Sequence, residues 1–305
     1  MRDLRYIPHA SIDSSKWDAC IHDASNGLIY GYSWYLNALT HQWDALVWND
    51  YEAVMPLTWN KKWGIHYLYQ PYFCASLGLF SRNKVDADML KIFLQHIPSK
   101  FRYIDIYLNH GNLFPSDEFP LTQRINYCLS LQQPYEQISK HYRTNLVRNI
   151  KKATDSNLEL RSNLAVDTIV SLAKETLQRV SPISDEEVNQ FHSLFSAVQT
   201  NSRVCTRGVY SPAGQLLASA VFFYSHKRWY YILVGNHPNG KMLGASHYLI
   251  DQFIKEHAGT DAVLDFEGSD IRNLAFFYSS FGAVEETYPA LRMNRLPPFL
   301  KWLKD

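Results

Sequence analysis

Two tandem α/β units with mixed (α+β) sheets are what this 305-residue sequence predicts. Length is the first reason: one hydrophobic core rarely serves so long a chain, which fits two units of about 150 residues. The second is an order of elements, strand–strand–strand–loop–helix–strand, that can be traced twice. The third is a composition rich in Tyr, Phe and Trp, residues that favour strands and line clefts.

In the first copy, Ala45–Trp48 reads as a strand, Asn49–Asp50 as a turn, and Glu52–Trp59 as the returning strand. Ile65–Tyr69 is the third strand. A loop through Gly78 and Ser81 leads to a helix over Val85–Ile97, with Leu90, Phe93, Leu94 and Ile97 on one face. Tyr103–Leu108 closes the copy. The second copy runs through strands Arg203–Tyr210, Leu216–Tyr224 and Trp229–Val234. It continues with a loop over Gly235–Gly240, a helix over Gly244–His257 and a strand over Val263–Phe266. Early helices, Ser33–Leu39 and Val166–Gln178, precede the two copies. Hairpins make part of each sheet antiparallel, and the strand–helix–strand crossover makes its end parallel. Pro134 opens a long helical pattern to Ala153, so the boundary is expected near residue 133, giving units 1–133 and 134–305.

Several function classes are set aside by composition. Net charge is +1, which does not suit a general nucleic-acid coat protein. Cys20, Cys74, Cys128 and Cys205 are scattered without a paired-cysteine pattern, as expected of buried thiols in a reducing cytoplasm. No metal is expected. The first residues lack an apolar signal-peptide core, and the longest apolar stretch, Leu216–Tyr224, is too short to span a membrane. HExxH, Gly-x-Ser-x-Gly and Walker patterns do not occur. His66, His237 and His247 stand alone, and His247 is a minor candidate one residue past the turn described next.

Two segments carry candidate chemistry. In Lys241-Met242-Leu243-Gly244-Ala245-Ser246, a small residue before a helix lets backbone N–H groups approach a pyrophosphate. A glycine there also suits any tight turn into a helix. Asp265-Phe266-Glu267-Gly268-Ser269 ends a strand, and Phe277-Tyr278 and Phe281-Gly282-Ala283 follow at the end of a helix. Asp265 and Glu267, two residues apart, share a face; either could deprotonate an amine, with Glu267 the preferred base and Asp265 preferred as a structural ligand. Phe277 and Phe281 read as core aromatics. Tyr278 is open to two readings, a core aromatic or a general acid.

The Lys241–Ser246 turn resembles the Arg/Gln-x-x-Gly-x-Gly/Ala turn of GNAT acyltransferases, with Lys241 for Arg or Gln and Ser246 for Gly or Ala. The Asp265–Ala283 pattern, together with Tyr142-Arg143-Thr144-Asn145-Leu146-Val147-Arg148-Asn149-Ile150-Lys151-Lys152-Ala153, resembles the Fem-like family. That resemblance implies tandem GNAT-like folds with a cleft between or beside them. It implies transfer of an acyl or aminoacyl group from acyl-CoA or aminoacyl-tRNA to an amine, in some relatives that of a peptidoglycan precursor. Val234, Gly235, Lys241, Gly244, Ala245 and Ser246 would then hold the donor. Tyr278 would protonate the leaving thiolate. Arg148, Lys151 and Lys152 would meet substrate phosphates or remain a solvated helix face, as Lys140 and Arg143 are read. No inserted helical arm of the kind some tRNA-using relatives carry fits the short loops. A degenerate turn is also compatible with a non-catalytic binding module of the same fold. The transferase reading requires the strands ending at Val234 and Phe266 to splay apart.

Overall fold

A computed structural model describes residues 3–40, 42–177, 184–268 and 270–297. Of the residues named above, Gln178 and Ser269 lie outside the described residues. The elements, in chain order, are β1 (Leu4–Ile7), α1 (Ser14–Asp23), α2 (Ser33–Leu39), β2 (Trp43–Trp48), β3 (Ala53–Lys62), β4 (Ile65–Tyr69) and β5 (Phe80–Ser81). Next come α3 (Ala87–Gln95), β6 (Phe101–Tyr107), β7 (Leu121–Ser130), α4 (Tyr135–Ile138), α5 (Thr144–Asp155), β8 (Glu159–Ser162), α6 (Val166–Leu177) and α7 (Asp185–Asn201). The remainder is β9 (Arg203–Tyr210), β10 (Leu216–Ser225), β11 (Arg228–Asn236), α8 (Pro238–Leu243), α9 (Ala245–His257), β12 (Val263–Asp265), α10 (Arg272–Ser279) and β13 (Val284–Asn294). The mixed α/β class expected from the sequence is the class observed.

The chain divides into two compact units, Met1–Arg124 with Thr287–Asp305, and Ile125–Glu286. The sequence placed the boundary near residue 133 and kept everything after it together. In the first unit the strand order is β1-β2-β3-β4-β6-β13, with β5 paired to β3. Pairs β2–β3 and β3–β4 are antiparallel, and β4–β6 is parallel through Tyr69↔Asp105. Asp86 caps α3 by accepting from the Met89 N–H, and Leu90, Phe93 and Leu94 are buried against Trp48, Phe101 and Ile104.

In the second unit the order is β7-β12-β11-β10-β9-β8. β9, β10 and β11 are antiparallel neighbours, and β11–β12 is parallel. Thus the repeated order of elements is present, with the crossover helices α3 and α9 in equivalent places. The core of this unit gathers Leu146 and Ala153 of α5, Leu249, Ile250 and Phe253 of α9, and Phe222, Trp229 and Tyr231 of the sheet. The Phe222 and Phe253 rings stack at 3.8 Å.

Two local expectations are corrected. The single helix read from Pro134 to Ala153 is broken: α4 and a 3₁₀ turn (Ser139–His141) precede extended backbone at Tyr142 and Arg143, and α5 starts at Thr144. The Arg143 N–H donates to the Ser280 carbonyl, and both Tyr135 and Tyr142 lie against Asp251, contacts a straight helix would not bring together. The loop expected over Gly235–Gly240 is instead the end of β11 followed by α8, which His237 caps and Pro238 starts. Lys241 is therefore helical, and the turn proper is Gly244 alone.

Candidate functional site

The site grows from the place where two neighbouring strands part. β11 and β12 pair only over Arg228↔Val263, Trp229↔Leu264 and Tyr230↔Asp265. From Tyr231 to Asn236, β11 keeps β10 on one side and has lost β12 on the other. Backbone groups on that side have no ladder partner; at Asn236 the Thr176 hydroxyl of α6 accepts from the N–H (2.9 Å) and donates to the carbonyl (3.1 Å), which leaves the groups from Tyr231 to Gly235 for a ligand. The register between β10 and β11 also slips there, Val221 facing Leu233 while Phe222 faces Tyr231, so Ile232 is an extra residue. A bulge of this kind re-aims backbone N–H groups and side chains. In the first unit the corresponding parallel pair stays closed to Tyr69, the last residue of β4. Opening is therefore a property of the second unit.

Local chemistry explains the parting. After Asp265 the chain takes positive φ at Glu267 and Gly268 and leaves the sheet. The Asp265 carboxylate accepts from the Glu267 N–H at 2.8 Å, and Asn126 Oδ1 accepts from the Gly268 N–H at 2.6 Å. These bonds replace the ladder bonds that a continuing β12 would have made. Phe266 then fills the space beside β11, edge-on to Tyr231 (6.1 Å) and stacked on Tyr278 (4.6 Å).

An ionic cluster holds the closed end. Arg228 Nη1 donates to Asp265 at 2.6 Å and to Glu286 at 2.8 Å, Nη2 donates to Glu286 at 2.7 Å, and the Cys128 sulfur lies 3.2 Å away. Asn126 Nδ2 donates to Asp265 at 2.8 Å. Burial alone would push the Arg228 guanidinium down, but Asp265 and Glu286 outweigh it and hold it well above its usual value. Cys128, Asp265 and Glu286 come close enough together to suit a cation, and that cation is the Arg228 guanidinium. Asp265, 4% exposed, spends its oxygens on Arg228, Asn126 and a backbone N–H.

Of the other two residues expected to act on protons, Tyr278 sits on α10 against Phe266, 8% exposed, and no described residue hydrogen-bonds to its hydroxyl. Burial, and then the charge of Glu267, raise it far above an ordinary tyrosine, so it stays a proton donor. Tyr231 of β11 is likewise raised by burial, with Tyr278 adding to the effect. The structure thus brings Asp265, Glu267 and Tyr278 together around the parting strands. Sequence reasoning missed Tyr231, the bulge at Ile232, and the anchors Arg228, Asn126 and Glu286. Only Arg228 left a trace in sequence, as a charge opening an apolar strand.

The residues expected to hold a donor lie on β11, in the last turn of α8 and at the start of α9. Val234 and Gly235 lie on β11 opposite Ala220 and Ser219. A methyl at Gly235 would meet Leu172 Cγ at 2.8 Å and the Ala173 nitrogen at 2.9 Å, so this glycine lets α6 lie close on the sheet. Gly244 has φ +73, closes α8 and starts α9. A methyl there would meet the Asn149 carbonyl oxygen at 2.5 Å, so the close crossing of α5 accounts for Gly244 without a ligand. Ala245 is buried, and the Ser246 hydroxyl bonds the Asn236 side chain, tying α9 to the end of β11. Lys241 is exposed in the last turn of α8, and Arg148, Lys151 and Lys152 are exposed on α5.

His247, in the first turn of α9, lies against Phe277 at 4.8 Å and Phe281 at 6.4 Å. Burial pushes its pKa down from 6.5 to about 4. The folded value lies below the unfolded one, so between pH 6.5 and about 4 the unfolded chain binds the extra proton and stability is lost as pH falls. Replacing His247 by Asn is expected to flatten the pH dependence of the urea midpoint in that window; an unchanged slope would show that the imidazole protonates freely in the fold.

Among the described residues no helix is long and apolar enough to cross a membrane. No family model matches the chain, and no curated protein matches it in sequence. Solved structures do match. FemX superposes with a TM-score of 0.65 at 11% identity, over 99% of this chain and 100% of that one. L-PGS from Bacillus licheniformis gives 0.53 at 15% identity, covering 95% of each chain. The C-terminal domain of an Agrobacterium fabrum protein named for lysylphosphatidylglycerol synthetase gives 0.54 at 8% identity, over 95% and 94%. At such identities the likeness is one of fold, and it is the likeness that the Asp265–Ala283 and Tyr142–Ala153 segments suggested: the chain has the Fem-like fold.

Proposed function

We propose that the chain is an acyltransferase that moves an acyl or aminoacyl group to an amine, with the donor held along the open side of β11 in the second unit. The observation that carries this is the parting of β11 from β12 after Tyr230↔Asp265, beside a bulge, in only the second of two similarly ordered units. Freed N–H groups of β11 would bond the donor's amide chain and polarise its carbonyl. The amine nitrogen attacks the carbonyl carbon, the carbon–sulfur bond of a thioester or the carbon–oxygen bond of an aminoacyl ester breaks, and Tyr278 gives a proton to the leaving atom. Glu267 takes the proton lost by the amine.

Acyl-CoA and aminoacyl-tRNA are both donors of the required chemistry, and a peptidoglycan-precursor amine is an acceptor consistent with the FemX-like fold. The packing of Asn149 on Gly244 favours donor contacts to β11 over contacts to that turn. It also lends some support to a second reading, a binding module without turnover. Mixing the protein with acetyl-CoA or a charged tRNA and a panel of amines separates the two. Transfer of label to an amine is the expected result, donor binding without transfer selects the module, and the absence of both defeats the donor site itself.

A further inference from the structure

We propose that the face of the second unit formed by α5 and α10 docks on an anionic lipid surface. On α5, Val147 and Lys151 stand four residues apart on one stripe, flanked by Arg148, and Arg143 lies at the N-cap just before the helix. On α10, Arg272 and Phe276 form a second stripe at the same spacing. The Arg143 guanidinium lies 4.8 Å from the Phe276 ring centre, which joins the two stripes into one surface.

Two properties of that surface call for a partner. Val147 and Phe276 are each 51% exposed, although the core of this unit lies directly beneath both helices. Among the described residues, Arg143, Arg148, Lys151 and Arg272 stand in no ion pair, whereas Lys174, Arg161 and Lys227 are paired with Asp185, Glu159 and Asp261. The whole chain has a net charge of only +1, so this concentration of cations is local. Cations interleaved with half-exposed apolar side chains match a bilayer interface: lipid phosphates take the charges and the acyl boundary takes the valine and phenylalanine. A nucleic-acid backbone would match the cations alone and leave Val147 and Phe276 in water.

The inference does not rest on the transferase reading, and its test needs no substrate. The full chain is sedimented with phosphatidylglycerol–phosphatidylcholine vesicles and with vesicles of phosphatidylcholine alone. Binding is expected only with the anionic vesicles and should weaken with salt. The double substitution Arg148→Ala with Lys151→Ala is expected to reduce partitioning about 25-fold, about fivefold per charge. Val147→Ser with Phe276→Ser is expected to reduce it about tenfold. Both variants should keep the circular dichroism and melting temperature of the parent, since all four side chains are at the surface. Failure to bind anionic vesicles, indifference to either pair, or binding to duplex RNA in place of vesicles overturns the proposal.

Discussion

Replacing Arg228 with methionine is expected to lower the stability of the second unit by about 3–5 kcal/mol, the usual cost of removing one partner from a buried ionic group. The Arg228 side chain is 11% exposed and Asp265 5%. Without the guanidinium, two carboxylates face each other beside the Cys128 sulfur, and among the described residues no other cation stands at that position. The buried charges, rather than the lost bonds, carry the cost, so the effect should reverse when the carboxylates go too. A triple variant, Arg228→Met with Asp265→Asn and Glu286→Leu, removes the charges while keeping the Oδ1 that accepts from Asn126 and Glu267, and is expected to recover most of the loss. Urea unfolding monitored by tryptophan fluorescence reads both. A loss under about 1 kcal/mol for the single variant would mean that water or a rearranged cation reaches the cluster. The same variant should impair any donor binding, because Asp265 fixes the point at which β12 leaves the sheet.

Periodicity made the regular elements legible. Strands β4 and β9 and helix α2 fall on the expected residues, because each carries apolar side chains at its own period. The transferase resemblance required strands parted between Trp229 and Phe266, and the structure has pairing that stops at Tyr230↔Asp265. What holds them apart was not. Asn126, Arg228 and Glu286 are remote in sequence and meet only through the pairing of β7, β12 and β11, so no local pattern marks them. The bulge at Ile232 sits in a run of apolar residues from Trp229 to Val234, where every register looks alike. The helix break at Tyr142 was hidden for the opposite reason: the three- and four-residue spacing of apolar side chains continues across it, while the bond from the Arg143 N–H to Ser280 comes from a distant segment. At Gly244 the sequence offers close approach to a pyrophosphate or a plain turn into a helix; its φ of +73 suits the turn, and the contact that makes a side chain impossible there is with α5.

Tyr278→Phe is expected to reduce kcat of the proposed transfer by about 100-fold or more, within the usual contribution of a general acid, while KM changes little. The ring already packs on Phe266 at 4.6 Å and near Tyr127 at 6.5 Å, and phenylalanine keeps both contacts. The hydroxyl gives up no hydrogen bond to any described residue, so its removal should leave the urea midpoint unchanged. A large kinetic effect without a stability effect separates a proton donor from a core aromatic, the two roles the sequence left open. The pH profile adds a second handle. Because burial and Glu267 raise the Tyr278 pKa, the donating form persists above pH 7, and the alkaline limb of kcat should not show an ordinary tyrosine near 10. Glu267→Gln changes the same site from the other side, removing the charge that raises Tyr278 and the base proposed for the amine. If Tyr278→Phe instead retains kcat within a factor of about two or three, the leaving group takes its proton from water and the tyrosine is packing alone.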